Sequence, residues 1–228
     1  MDDFDRILEC VAEAVSEADR AAHVEQATRG VDAMPEAALQ DLIAAACARA
    51  GFGVYREQPF PSDVGYHVKE SARGRCDMAL TEGGAALEDP QRVLLEELAK
   101  KGTLFAGADE ARGAAPEEAV WLEVKVVKQF TYSRGVPGPN RGYGSELMRA
   151  VEGDLGKLSR DARIARGALL VLIFSDCEAT GVHDLGVAVR GALKAGMTLR
   201  EPRVRAVRID DRVGQGSCVL GLVSVLGG

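Results

Sequence analysis

Val120-Trp121-Leu122-Glu123-Val124-Lys125-Val126-Val127 is the stretch on which the reading of this chain turns. It is largely apolar and half of it is valine, the composition of a strand that packs inside a sheet. Successive side chains of a strand point to opposite faces. Val120, Leu122, Val124 and Val126 therefore share one face, and Trp121, Glu123, Lys125 and Val127 share the other. Two charges set side by side among hydrophobes are costly unless they are paired or bind an ion. The plain alternative is a salt bridge on the solvent face of a sheet. Trp121 and Val127 on the same face weigh against it.

Upstream, Arg75-Cys76-Asp77-Met78-Ala79-Leu80 reads as a shorter strand, ended by Glu82-Gly83-Gly84. Alternation puts Cys76, Met78 and Leu80 on one face and Asp77 on the other. If the two strands pair, Asp77 approaches Glu123 and Lys125 on a common face. Neighbouring carboxylates raise each other's proton affinity unless a cation sits between them. Oxygen donors of this kind suit Mg²⁺ or Mn²⁺, with water completing the shell. A further strand is expected over 53–60, bounded by Pro59 and Pro61, and a helix before it over 35–50, with Pro35 at its first position and Gly51 at its end. An amphipathic helix over 3–22 opens the chain.

Downstream, 131–144 reads as a Gly/Pro/Arg/Tyr loop, followed by a helix over 145–166 capped by Ser145, with Leu147, Val151, Leu155 and Leu158 on its apolar stripe. Ala168-Leu169-Leu170-Val171-Leu172-Ile173-Phe174 is apolar throughout, which fits an interior strand buried on both faces. A helix over 182–195 and strands over 203–209 and 217–225 complete the set. The stretch 82–118 is an insert expected to carry one helix, over 90–101. The whole chain, 1–228, is expected to be a single α/β domain with a mixed central sheet flanked by helices.

Asp at a short strand, Glu-x-Lys in an apolar strand, then a helix and a hydrophobic strand resemble the PD-(D/E)XK nuclease superfamily. The matching residues are Asp77 and Glu123-Val124-Lys125, and the resemblance covers about 35–175. It implies a restriction endonuclease-like αβββαβ core, with an N-terminal helix, the insert, and an α/β extension over 176–228. Cys76 stands where the family often has Pro, and the insert is longer than usual. The resemblance implies a metal-dependent nuclease hydrolysing phosphodiester bonds, with DNA the expected substrate and restriction or phage defence a suitable role. Asp77, Glu123 and the Val124 carbonyl would hold Mg²⁺ or Mn²⁺, and Lys125 would orient or help deprotonate the attacking water. In the family an acidic residue of the preceding helix often joins the site. Glu36 takes that place here, with Glu57 the lesser alternative. An acid in a helix's first turn is also favourable without any catalytic role.

Lys128, Tyr132, Arg134 and Arg141, on or beside the loop after the Glu-x-Lys strand, are candidate nucleic-acid contacts, with Asn140 and Tyr143 in the same stretch. Lys157 on the next helix is a candidate phosphate contact, although Asp154, Lys157 and Asp161 also have the spacing of ion pairs on a solvated face. Arg203, Arg205 and Arg208 either widen a basic patch or face solvent. The rival expectation is a non-catalytic subunit of the same fold that binds nucleic acid or a protein partner. It requires the site residues to be too far apart or locked in ion pairs. An unrelated α/β domain would instead put Asp77 and Glu123 on different faces or on distant strands. A homodimer or a partner subunit is compatible with either nuclease-fold reading.

The net charge of −7 argues against holding nucleic acid by bulk charge, but not against a local basic groove. Five widely spaced cysteines include no Cys-x-x-Cys pair, which speaks against a zinc ribbon or a disulfide framework. No apolar run has membrane-spanning length, and the acidic start Met1-Asp2-Asp3-Phe4-Asp5 lacks the basic opening of a signal peptide. The expected location is the cytoplasm.

Overall fold

The structure is a computed structural model that describes residues 2–63, 74–89, 113–133 and 135–226. Helices α1 (Asp3–Val24) and α2 (Glu36–Arg49) precede strands β1 (Gly53–Pro59), β2 (Arg75–Thr81) and β3 (Val120–Lys128). A hairpin of β4 (Phe130–Ser133) and β5 (Val136–Pro139) leads to α3 (Tyr143–Arg160). Strand β6 (Gly167–Ser175), α4 (Glu178–Lys194), β7 (Arg203–Arg208) and β8 (Ser217–Ser224) follow. The fold is α/β, with a six-stranded mixed sheet in the order β1-β2-β3-β6-β8-β7. β1, β2 and β3 form an antiparallel meander, α3 carries the chain over to β6 parallel to β3, and β8 and β7 close the sheet antiparallel.

The apolar run 168–174 behaves as its composition requires, since every residue of β6 is buried. Its alternate side chains feed two cores. Ala168, Leu170, Leu172 and Phe174 pack with α1 and α2, against Ile7, Val11, Leu39 and Ile43. Leu169, Val171 and Ile173 pack with α3 and α4, against Val151, Leu155, Leu185 and Val189. Gly221 of β8 sits under Leu185. A methyl group there would lie 2.5 Å from Leu185 Cδ2 and 3.2 Å from Val171 Cγ1. Gly221→Ala is therefore expected to destabilise the fold by about 1–3 kcal/mol, measured as a lower urea midpoint with unchanged slope.

Several local expectations are corrected. The strand that the apolar run suggests over 120–130 ends at Lys128, and the expected loop over 131–144 contains the β4–β5 hairpin, turned by Gly135 at φ 83°. Helix α3 is capped by Gly142, not Ser145. Asn140 Oδ1 takes the Gly142 N–H at 2.9 Å, and the Ser145 hydroxyl donates to the Gly142 carbonyl at 2.8 Å. The helix stops at Arg160 because Asp161 turns extended and spends its carboxylate on Ser62 N, Ser62 Oγ and Arg163 N, at 2.9, 2.6 and 2.9 Å. Asp161 thus ties a loop to the helix end and makes no ion pair among the described residues. Gly51 does end α2 in the left-handed conformation, at φ 89°. The helix expected over 90–101 lies outside the described residues. No described helix is long and apolar enough to cross a membrane.

Candidate active site

The chemistry-bearing residues gather where β2 leaves β3. The antiparallel register runs through Leu80↔Val120, Ala79↔Trp121 and Met78↔Leu122, and then stops. The next residue of β2 is Asp77. Its Oδ2 accepts the Val124 N–H at 2.7 Å, so a carboxylate replaces the backbone acceptor that a continuing ladder would supply. The ladder to β1 is interrupted at the same point. Arg56 pairs with Met78 and Gln58 with Cys76, but Glu57 between them is at φ 50°. Non-glycine residues seldom adopt that conformation, and such strain is found at functional sites. The break also rotates the strand. Met78 and Leu80 face the α1/α2 core, whereas Cys76 packs on the α3/α4 side, against the expectation that the three share a face.

Glu123 lies on the face of Trp121 and is 3% exposed. Its Oε1 is buried without a hydrogen-bond partner. Burial, the Asp77 and Asp154 carboxylates and a hydrogen bond to Asp77 push its carboxyl up to about 8. Lys157 acts in the opposite sense. Lys125 follows on β3, and its Nζ meets Glu36 Oε1, in the first turn of α2, at 3.2 Å. Burial works against the Lys125 charge, but Glu36, Asp154 and Asp77 outweigh it and raise its proton affinity. As arranged, Lys125 is a cation and a hydrogen-bond donor. The suggested role in removing a proton from water is not supported by these surroundings.

The site therefore brings together Asp77, Glu123, Val124, Lys125, Glu36 and Lys157. The last is held by Asp154 Oδ1 at 2.6 Å, so the expected ion pair on α3 is present, and it stands at the site. Asp154 is the residue that the functional reading of the sequence passed over. It lies between Val151 and Leu155 on the apolar stripe of α3 and is 5% exposed. A carboxylate on a buried stripe was the available signal. Glu57 is exposed, and its carbonyl accepts from Arg75 at 2.8 Å.

The other candidates are placed differently. Lys128 donates to the Met34 carbonyl at 2.7 Å, stands over the Phe174 ring, and has its proton affinity lowered by burial. It is engaged in packing rather than offered to a ligand. The Tyr132 ring faces the Arg29 guanidinium, 5.0 Å from its centroid. Arg141 is exposed, and Arg134 lies outside the described residues. Tyr143 donates to Asp184 at 2.9 Å, and Asn140 bonds the Lys128 carbonyl and Glu146 at 3.1 and 3.0 Å, so both serve structure. Two of the three arginines of β7 are paired from the first helix and its cap: Arg203 with Asp2 and Asp5, and Arg205 with Glu9 at 3.1 Å, while Arg208 is exposed.

Among the described residues, no group of three or more His, Cys, Asp and Glu side chains is arranged to hold a metal ion. The smaller set facing the break consists of hard oxygen donors. In an antiparallel ladder the N–H and C=O of one residue turn to the same neighbour. The Val124 carbonyl accordingly faces the side on which its N–H meets Asp77. With the buried Glu123 Oε1, which has no hydrogen-bond partner among the described residues, these are oxygen donors of the kind that could hold a small divalent cation. Compared with family models, curated proteins and solved structures, the chain has no match in any of the three.

Proposed function

We propose that the chain is a metal-dependent nuclease that hydrolyses phosphodiester bonds, with DNA as its substrate, built on a restriction endonuclease-like core. The observation that carries this reading is the Asp77–Glu123 pair at the point where β2 parts from β3, with Lys125 next along the strand. The order α2, β1-β2-β3 meander, α3 crossover and parallel β6 supports the αβββαβ core. In this reading α1, the insert and α4-β7-β8 are additions to it.

Asp77, Glu123 and the Val124 carbonyl would hold Mg²⁺ or Mn²⁺, which would activate water and stabilise charge on the phosphate. Asp77 also fixes the Val124 backbone and so sets the position of the carbonyl. Lys125 keeps its charge at neutral pH and supplies a donor and a positive charge beside the phosphate. Glu36 holds that ammonium in place from α2. A second reading, a non-catalytic subunit of the same fold, is favoured by one observation: both lysines of the site are paired, Lys125 with Glu36 and Lys157 with Asp154.

The test is incubation of plasmid, linear duplex and single-stranded DNA with the wild type and with Asp77→Asn, in Mg²⁺, Mn²⁺ or chelator. The expected result is cation-dependent cutting by the wild type and none by Asp77→Asn. DNA retained on the protein without cutting, equally by both, would favour the binding subunit.

A further inference from the structure

We propose that Asp154 is a further acidic group of the cation site, holding the ion through its water shell rather than by direct ligation. The inference rests on the nuclease reading above and extends it to a residue of α3. Two buried oxygens near the site lack any partner: Glu123 Oε1 on β3 and Asp154 Oδ2 on α3. Their residues are 3% and 5% exposed. Buried carboxylate oxygens nearly always have a donor, and each exception needs a reason. These two belong to different elements that pack together: Trp121, on the Glu123 face of β3, shares an apolar cluster with Val151 and Leu155, which flank Asp154 on the stripe of α3. A single cause that satisfies both is a hydrated cation between them.

Direct ligation by three carboxylates is not the arrangement present. Mg²⁺ gives up its water reluctantly and is commonly held by one or two carboxylates, with several waters kept. An oxygen one water away from the ion then finds its missing donor in a coordinated water. Asp154 is fixed for such a task. Its Oδ1 is occupied by Lys157 at 2.6 Å, and the Lys157 side chain, 48% exposed, approaches from the solvent side. That leaves Oδ2 as the free acceptor. By orienting a coordinated water, Asp154 acts as a positioning residue.

Calorimetric titration of Mn²⁺ into the full chain decides the matter, with wild type, Asp154→Asn and Asp77→Asn compared. Partners of this outer kind are typically worth about 10–100-fold in metal affinity. Asp154→Asn is expected to weaken Mn²⁺ by that factor while its metal-free melting temperature stays close to the wild type's, since asparagine keeps the side-chain size and an oxygen for Lys157. Asp154→Ser, which leaves room for a water, serves the same purpose if the asparagine variant does not fold. Unchanged Mn²⁺ affinity in Asp154→Asn, with binding lost in Asp77→Asn, would overturn the inference and leave the nuclease reading standing. Loss of both stability and affinity would mark Asp154 as a packing residue, which also overturns it. A wild type that takes up no Mn²⁺ and cuts no DNA would remove the reading itself.

Discussion

Lys125→Ala is expected to cut DNA about 10²–10³-fold more slowly than the wild type, the usual loss when one positioned donor is taken from a developing negative charge. The fold should hardly change. The pair that Lys125 makes with Glu36 is partly open to water, with side chains 33% and 41% exposed. Such pairs contribute at most about 1 kcal/mol. The alanine variant should therefore melt near the wild type while losing activity. A variant that lost activity only in proportion to lost folded protein would assign Lys125 a structural part. Lys125→Arg keeps the charge but not the compact ammonium, so it should restore only some of the rate. Initial rates of plasmid nicking under excess Mg²⁺, read beside thermal melts, separate these outcomes.

Glu123→Gln is expected to be more stable than the wild type at neutral pH and inactive. Burial first, then Asp77 and Asp154, raise the Glu123 carboxyl from 4.5 to about 8 in the folded chain. A folded group that binds its proton more tightly than the unfolded one stabilises most fully below the unfolded value. That contribution is lost as pH rises from 4.5 and is exhausted above about 8. By pH 7 the loss is ~3 kcal/mol, at 1.36 kcal/mol per pH unit. Glutamine carries no such penalty. Urea midpoints of the two proteins should nearly coincide near pH 4.5 and separate as pH rises, with the variant higher. Mn²⁺ should raise the wild-type midpoint and leave that of Glu123→Gln unchanged. A midpoint gap that does not grow with pH would show that Glu123 ionises freely in the folded chain.

The layout of the sheet was legible wherever apolar pattern decides structure. The run at 168–174 became the central parallel strand, and Val120-Trp121-Leu122 paired with Met78-Ala79-Leu80 as alternation suggests. Asp77, Glu123 and Lys125 could be singled out because charges within apolar strands need a reason, and Glu36 only through the family resemblance, by its position in the preceding helix. What was hidden depends on contacts distant in sequence. Alternation assumes an unbroken strand, so it could not foresee that the break at Asp77 would move Cys76 to the other core. Lys128 looked like Lys125 in the sequence, yet the Met34 carbonyl and the Phe174 ring claim it. Arg203 and Arg205 of β7 resembled part of a basic patch, yet acids of α1 and its cap lie against them. The β4–β5 hairpin was masked by its Gly and Pro content, which reads equally as a loop or as a short paired turn.

The site is spread along the chain. The contact between Asp77 and Val124 closes 47 residues, and that between Lys125 and Glu36 closes 89. Closing loops of such length precedes any return from the contacts they enable, which places these pairings late in folding. A partly made chain, or one whose sheet has not yet received its crossover strand, has the residues but not the constellation. For the nuclease proposed above this amounts to a timing device: a nascent chain would lack the assembled site, and hydrolytic competence would arrive with the completed fold.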